Sequence, residues 1–187
     1  DPRIVQIDGD FYITYVAVSR YGAATALAST RDFRSFSRHG IIFCPENKDV
    51  VPFPERIGGQ YVALHRPNPA TTFSQPQMWM AVSPDLLHWG GHHHFLGGTG
   101  AWDQARVGAG APPFKTQSGW IEIYHGNNRR LGDTEVGTYS AGLLLLDRET
   151  PWRVLATSGS IFAPETDYEC TGFVPNVVFP TGLIDQG

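Results

Sequence analysis

The stretch Gly119-Trp120-Ile121-Glu122-Ile123-Tyr124-His125 is a short apolar segment that follows a glycine turn and ends on an imidazole. The same arrangement occurs at residues 59–65, which also end on an imidazole, and at residues 9–15, which end on a tyrosine. Aligned on the glycine, Tyr15, His65 and His125 fall at one position of the repeat. A repeat that puts reactive side chains at one structural position predicts a shared pocket, so this pattern bears on both the fold and the site.

The repeat continues on both sides of these three segments. Each is preceded by an apolar strand (4–7, 50–57, 111–116) and followed by a second one (23–28, 78–82, 139–146) and an outer one (39–43, 92–96, 158–162). A further first strand, 173–179, closes the chain. Four strands per unit, recurring about every 50–60 residues, predict an all-β fold made of β-propeller blades. A sandwich would lack the shared order of segments, and an α/β fold would need helical periodicity.

The number of units indicates whether the propeller ring is complete. Three units and one extra strand do not close a ring, and open blade edges are costly. We therefore interpret residues 1–187 as a single propeller catalytic domain in partial form, about three blades plus one strand, without its first and last blades.

Composition excludes several classes of protein. The 187 residues are 41% hydrophobic and 17% charged, which is typical of a folded globular chain. A net charge of −4 argues against nucleic acid as a partner, and no apolar run is long enough to span a bilayer. No signal peptide is visible and Cys44 and Cys170 are interpreted as reduced, so we expect a cytoplasmic location. A homo-oligomer is left open.

Charged residues gather where the first strands of the units begin. In a propeller these entries face one mouth of the central channel. They carry Asp1-Pro2-Arg3, Asn47-Lys48-Asp49, Gly108-Ala109-Gly110 and Tyr168-Glu169-Cys170. Four cations near these entries, Lys48, Arg66, Lys115 and His125, are candidates for an oxyanion site, because an anion needs several charge-assisted donors. Each of them could instead pair with a nearby acid.

The remaining candidates are acids, aromatic residues and imidazoles. Asp1 and Glu169 are candidates for a general acid and a sugar ligand. Tyr139 donates to an anion or packs between blades, and Trp102, in a polar loop, is the best candidate for a sugar-facing ring. The triplet at 92–94 predicts no metal site, because adjacent residues on a strand point to opposite faces.

Taken together, these motifs resemble a known family. Asp1-Pro2-Arg3, Lys48-Asp49, Phe53-Pro54-Glu55, His65-Arg66-Pro67, residues 108–116, Gly119-Trp120, Tyr124-His125-Gly126 and residues 168–172 look like the β-mannoside phosphorylases of glycoside hydrolase family 130. They occur in the order of that family and cover nearly the whole chain. As a set they are specific, although each alone is not.

The resemblance implies a five-bladed propeller that cleaves β-1,4- or β-1,2-linked mannosides with inorganic phosphate, inverting the anomeric carbon to give α-mannose 1-phosphate. It implies Asp1 as proton donor and a phosphate site of Lys48, Arg66, Lys115, His125 and Tyr139. Arg3, Asp49, His65 and Glu169 are assigned to substrate binding. Phosphate is a co-substrate and no cofactor is expected. A hydrolase on the same fold, a carbohydrate-binding propeller and a protein-interaction propeller remain alternatives.

Overall fold

The computed structural model describes residues 1–69, 73–130 and 132–184, and it confirms an all-β fold. Its strands form three antiparallel sheets in which each strand pairs mainly with its neighbour in sequence. Sheet 1 consists of β1 (Arg3–Ile7), β2 (Asp10–Ser19), β3 (Gly22–Thr30) and β4 (Ser37–Phe43). Sheet 2 consists of β5 (Asn47–Pro52), β6 (Tyr61–Pro67), β7 (Met78–Ser83) and β8 (Gly90–Leu96).

Sheet 3 departs from this plan in its first strand. It consists of β9 (Arg106–Ala109), β10 (Phe114–Lys115), β11 (Trp120–Asn127), β12 (Tyr139–Leu146) and β13 (Val154–Thr157). Both β9 and β10 pair with β11, so the single strand expected at 111–116 is wrong. Pro112 and Pro113 lie in the interruption, and proline has no N–H to donate to a ladder.

The repeated glycine lies in a tight turn in each sheet. Asp8 and Gly9 have φ of 51° and 87°, and Gly58 and Gly59 have φ of 59° and 83°. Two successive residues with positive φ make the turn that suits a two-residue hairpin, because its twist matches that of the strands. Gly119 has a φ of 142°, and a Cβ there would lie 2.1 Å from the Leu146 carbonyl oxygen. The alignment of the three units on this glycine is therefore confirmed.

Three other predicted strands are displaced. The first strand of sheet 2 ends at Pro52 rather than at 57, and Ile57 makes only a bridge to Gln60. The outer strand expected at 158–162 is wrong: β13 lies earlier, and Phe162 makes an isolated bridge to Ala141. The strand expected at 173–179 is also wrong.

The part of the chain after β13 contains a short helix instead of a strand. Helix α1 (Asp167–Cys170) precedes a segment in which Val177 forms one parallel bridge to Tyr139. The Tyr139 N–H donates to the Asn176 carbonyl at 2.9 Å, and the Val178 N–H donates to the Tyr139 carbonyl at 3.0 Å. These bonds bring residues 176–179 against the start of β12.

Apolar side chains join each sheet to the next. The main core lies between sheets 2 and 3, where Phe53 and Trp120 meet edge to face at 5.2 Å. A second cluster packs Val5, Ile7 and Leu27 of sheet 1 against Tyr61 and Leu86. This packing places β5 against both β1 and β9, and the first residue of β1, Arg3, reaches the carbonyls of Ala109 and Gly110 at the end of β9.

Candidate functional site

Four buried polar side chains from three sheets meet beside the first residues of β1 and β5 and the end of β9. They are Arg3, Asp49, Arg66 and His125, at 1%, 3%, 5% and 0% exposure, and we call them the Asp49 cluster. Asp49 Oδ2 lies 3.1 Å from Arg66 Nε and 3.4 Å from His125 Nε2. Asp49 Oδ1 lies 3.7 Å from Arg3 Nη2. One carboxylate therefore contacts a cation or imidazole from β1, β6 and β11.

Asp49 reaches this position because β5 is irregular there. Lys48 pairs with Arg66 and the next pair is Val51 with Leu64, so Asp49 and Val50 together oppose one residue of β6. That is a β-bulge, and such bulges re-aim side chains next to functional sites. Asp49 also has a φ of 53°, which costs energy for any residue other than glycine. The strained backbone turns its carboxylate towards β9 and β11.

Gly108 allows the carboxylate and the imidazole to meet. A Cβ at Gly108 would lie 2.4 Å from Asp49 Oδ2 and 2.6 Å from His125 Cε1. A Cβ at Gly110 would lie 2.3 Å from the Ile123 carbonyl oxygen. The two glycines of the 108–110 motif are thus positions of close packing, where no side chain fits.

The electrostatics of the Asp49 cluster favour an anion. Burial alone would raise the pKa of Asp49, but Arg66, His125 and Arg3 hold it well below its ordinary value, so the group is a carboxylate. Burial lowers the pKa of His125 despite the nearby Asp49, which leaves the imidazole neutral at pH 7. Two arginines and one carboxylate make the cluster net positive.

Several nitrogens of the cluster are buried without a hydrogen bond in the described part of the chain. They include Arg66 Nη1 and His125 Nδ1, whereas Arg66 Nε and His125 Nε2 lie 3.1 and 3.4 Å from Asp49 Oδ2. Buried donors are normally satisfied, because an unmet one costs about 1–3 kcal/mol. An oxyanion is a ligand that would satisfy a guanidinium and an imidazole N–H together.

Tyr139 and Arg106 extend the cluster on one side. The Arg106 guanidinium donates from Nη1 to the Tyr139 hydroxyl at 3.1 Å, and the Tyr139 ring lies 6.2 Å from that of His125. Phe179 packs on His125 at 4.2 Å between ring centres. The sequence motifs predicted Tyr139 as a site residue but not Arg106. Its signal was its position two residues before Gly108, at the entry of the same unit.

Lys48 lies beside the cluster and Lys115 does not. Lys48 is half-buried and directly opposite Arg66 in the ladder, so the two side chains share a face of sheet 2. Lys115 pairs with Trp120, five residues before His125, which is about 17 Å along the strand. Its ammonium contacts the Glu55 carboxylate and lies 5.1 Å from the centre of the Trp120 ring. The structure therefore does not bring Lys115 to the predicted phosphate site.

His65 points into a different interface. Its Nδ1 is 3.0 Å from the Asn47 amide nitrogen, its Nε2 is 3.1 Å from His92 Nδ1, and its ring packs on Phe43 of sheet 1. Burial, with further contributions from His92 and His93, lowers the pKa of His65 to about 3.

The shared pocket predicted from the repeat is therefore wrong for His65. His65 faces sheet 1 whereas His125 faces the Asp49 carboxylate of sheet 2, so each histidine turns towards the preceding sheet. Equivalent positions of a repeated sheet point in equivalent directions relative to their own sheet, and so into successive interfaces.

Glu169 and Trp102 have structural contacts instead of the predicted ones. Glu169 Oε2 accepts hydrogen bonds from the backbone N–H groups of Glu165 and Thr166, at 2.9 and 3.0 Å, and so caps α1. The Trp102 indole packs against Tyr124 at 5.3 Å and fills the space over Gly126 and Gly142.

Asp1 is exposed, two residues before the buried Arg3. The Arg3 Nη1 group donates to the Pro2 carbonyl at 3.4 Å, which holds the segment that carries Asp1.

Other candidate chemistries have little support in the described residues. Among residues 1–69, 73–130 and 132–184, no three His, Cys, Asp or Glu side chains are grouped as a metal site would require. The 92–94 triplet lies on the outer strand β8, as predicted. Cys44 and Cys170 are both free. In the same part of the chain, no helix has the length and apolar character needed to cross a membrane.

Comparison with known proteins gives one family. The profile of glycoside hydrolase family 130, described as beta-1,4-mannooligosaccharide phosphorylase, matches residues 1–187. The beta-1,2-mannobiose phosphorylase of Listeria innocua is 44% identical over 189 residues, which is 100% of this chain and 51% of that protein. The 1,2-beta-oligomannan phosphorylase of a Thermoanaerobacter species is 39% identical, over 97% of this chain and 59% of that protein.

The solved structure of one of these relatives is similar to this chain over its whole length. The complex of the Listeria innocua beta-1,2-mannobiose phosphorylase with beta-1,2-mannobiose superposes with a TM-score of 0.91 at 43% identity, covering 100% of this chain and 52% of that one. The chain thus spans between half and three fifths of the length of the relatives it matches. The match of the profile along the whole chain shows that this protein belongs to glycoside hydrolase family 130.

Proposed function

We propose that the three sheets are blades of a five-bladed propeller and that the protein cleaves β-mannosides with inorganic phosphate. The products would be α-mannose 1-phosphate and the shortened sugar. The observation that carries this proposal is the net positive, buried Asp49 cluster, in which nitrogens of Arg66 and His125 have no hydrogen-bond partner among the described residues. The naming of its relatives as phosphorylases supports it.

In this proposal the phosphate is held by Arg66, His125 and Tyr139, with Arg106 and Lys48 beside them. Arg66 supplies a rigid pair of donors, and His125, protonated as the phosphate dianion binds, donates one ring N–H to the phosphate and the other to Asp49. The Tyr139 hydroxyl accepts from Arg106 and can donate its own proton to the anion. Such an arrangement orients a phosphate oxygen for attack, which is a large part of catalysis by positioning.

Arg3 and Asp49 act from behind the phosphate site in this proposal, because Asp49 is a carboxylate that contacts Arg66 and His125, and Arg3 contacts Asp49 and the carbonyls of Ala109 and Gly110. Asp49 holds Arg66 and His125 in place, and Arg3 balances its charge. This revises their assignment from substrate ligands to positioning residues. The substrate-binding roles of His65 and Glu169 are not proposed further, because both side chains are engaged elsewhere.

The chemical step proposed is a single inverting displacement. A phosphate oxygen forms a bond to the anomeric carbon as the bond from that carbon to the glycosidic oxygen breaks. The leaving oxygen takes a proton that comes from Asp1 by way of a sugar hydroxyl. No cofactor is needed, since phosphate is itself the nucleophile.

Hydrolysis on the same fold is less well supported by this site. An inverting hydrolase needs a second carboxylate, about 6.5–9.5 Å from the acid, to activate water. The two buried carboxyl groups near the cluster are Asp49, which contacts two arginines and His125, and Glu122, which is 0% exposed. Neither faces solvent as a base would.

The test is an incubation of the complete gene product with β-1,2-mannobiose and β-1,4-mannobiose, each with and without phosphate. Phosphorus NMR should show α-mannose 1-phosphate only when phosphate is present, with the β-1,2 substrate tried first because of the named relatives. Arg66→Gln should raise the KM for phosphate at least about tenfold, as loss of a charge-assisted pair of bonds predicts. Release of free mannose at the same rate without phosphate would overturn the proposal.

A further inference from the structure

Glu122 is a buried acid that the proposed chemistry does not use. It lies on β11 between Trp120 and Tyr124, on the face that packs into the main core, and all three are 0% exposed. The equivalent residues of the other two repeats are Tyr12 and Val62, which are not ionisable at neutral pH. A carboxyl group in an apolar core is costly unless it makes hydrogen bonds, so its contacts indicate why it is there.

The carboxyl group of Glu122 is directed at the interruption between β9 and β10. Its Oε1 accepts a hydrogen bond from the Gly110 N–H at 3.1 Å. Gly110 follows the last residue of β9, and its N–H also donates to the Ile123 carbonyl at 2.9 Å, which continues the pairing with β11 by one residue. Glu122 thus supplies a second acceptor to this N–H at the point where the inner strand of sheet 3 leaves its regular pairing.

The two peptide groups on either side of the Gly110 Cα both contact Arg3. The Gly110 carbonyl accepts a hydrogen bond from Arg3 Nε, and the Ala109 carbonyl accepts one from Arg3 Nη2 at 3.3 Å. Arg3 in turn donates to the Pro2 carbonyl and faces Asp49. A continuous line of contacts therefore runs from Glu122 through Gly110 to Arg3, and from Arg3 to both the Asp1 segment and Asp49.

We propose that Glu122 is a positioning residue, which fixes the Gly110 peptide and through it the Arg3 guanidinium between Asp49 and the segment of Asp1. The effect on catalysis that we expect from this role rests on the proposed function. The residue is closed to solvent, so it does not touch substrate.

The group acts as a hydrogen-bond acceptor and not as a charge. Burial raises the pKa of Glu122 well above its ordinary value, with opposition from the Gly110 N–H and Arg3, and this shift favours the neutral acid. A neutral amide should therefore replace it, because Gln keeps an oxygen at the same place. An apolar side chain of similar volume should not.

The experiment compares Glu122→Gln and Glu122→Leu in the complete gene product, with Leu144→Met as the control. Leu144 is the partner of Glu122 in the ladder and is equally buried, so its change perturbs the same packing without a polar contact. Glu122→Leu should lower kcat on the order of 10- to 100-fold, since small displacements of catalytic groups have effects of that size. Glu122→Gln and Leu144→Met should stay within about threefold of wild type, with KM for mannobiose little changed in all three.

A second readout does not depend on turnover. Hydrogen exchange, followed by mass spectrometry on the peptide that contains Gly110, should be faster in Glu122→Leu alone, while its melting temperature stays at or above that of wild type. An apolar residue in place of a buried acid is often neutral or stabilising, so instability would not explain a lower kcat.

The outcomes separate the two proposals. The role of Glu122 would be overturned if the peptide that contains Gly110 exchanged hydrogen in Glu122→Leu at the wild-type rate. It would also be overturned if that exchange were faster while kcat stayed at the wild-type value. A loss of kcat in Glu122→Gln equal to that in Glu122→Leu would also overturn it, because the acceptor would then be insufficient. If wild type itself shows no phosphorolysis, the proposed function fails and the exchange comparison alone decides whether Glu122 fixes Gly110.

Discussion

Gly108 is the residue on which the contact between Asp49 and His125 depends most directly. A methyl group there would lie 2.4 Å from Asp49 Oδ2 and 2.7 Å from His125 Nε2, so both groups would have to move. We expect Gly108→Ala to destabilise the fold by about 1–3 kcal/mol, as overpacking does. Because Asp49 also holds Arg66, the KM for phosphate should rise at least about tenfold.

The measurements are urea unfolding and phosphate-dependent initial rates. Gly159→Ala is the matched control, because a Cβ at Gly159 meets nothing within 4 Å. If Gly108→Ala has the same free energy of unfolding and the same KM for phosphate as Gly159→Ala, the Asp49 cluster tolerates the displacement and its packing does not limit function.

Substitutions of Arg66 and Lys115 are expected to affect the KM for phosphate differently, although the resemblance assigned both residues to the phosphate site. Lys115 contacts Glu55 at the far end of β11, with its side chain 32% exposed. Surface ion pairs contribute about 0–1 kcal/mol, so Lys115→Gln should change stability by no more than that. Its KM for phosphate should stay within about twofold of wild type, whereas Arg66→Gln raises it. Initial rates over a phosphate titration distinguish the two variants, and a parallel rise in both would return Lys115 to the site.

The residues of the Asp49 cluster and Glu122 differ in how readily the sequence alone identifies them. Arg66 and His125 end repeated strands, so repetition and family resemblance both identified them. Glu122 lies between apolar residues with no equivalent in the other units, and its role depends on an interruption in the strand opposite it. Which interface a repeated side chain enters depends on how the sheets pack, and this is why His65 was assigned to the wrong group.

Aspartates at the strand connections explain where the outer strands begin. Asp32, Asp85 and Asp147 each accept the N–H groups of the residues two and three positions later through one carboxylate oxygen. These hydrogen bonds lower the pKa of all three. Alignment of the three units on Asp32, Asp85 and Asp147 places the third outer strand at its observed position, β13, and not at 158–162.

The interface between sheets 1 and 2 should be sensitive to acid through His65. Its pKa is lowered from 6.5 to about 3 in the folded chain, first by burial and then by His92 and His93. Between those values the unfolded chain binds a proton that the folded chain does not, so the free energy of unfolding falls as pH drops from about 6.5 towards 3.

We expect wild type to lose on the order of 2 kcal/mol more stability than His65→Gln between pH 7 and 4.5. Urea unfolding at both pH values gives this difference. The exposed residue His39 supplies the control variant His39→Gln, which should keep the wild-type pH dependence. Equal pH dependence in wild type and His65→Gln would mean that the interface accommodates the charged imidazole.

On the scale of the whole molecule, the sequence predicted the sheets better than their mutual arrangement. Glycine turns and alternating apolar residues act locally, so four-stranded meanders follow from them directly. The contacts of Asp49 with Arg3 and His125 join residues 46 and 76 positions apart, and only packed sheets bring them together. The break between β9 and β10 is likewise set by what surrounds it.

The meeting of three sheets at one carboxylate has a consequence for folding. A ligand that binds the folded chain and not the unfolded one stabilises it by mass action, by about 2.7 kcal/mol at a hundred times its Kd. Phosphate bound to Arg66 and His125 would therefore link sheets 2 and 3 and stabilise the fold, whether or not sugar is present. The melting temperature should rise with the logarithm of phosphate concentration at constant ionic strength. If sulfate raises the melting temperature as much as phosphate does, the site recognises the negative charge alone.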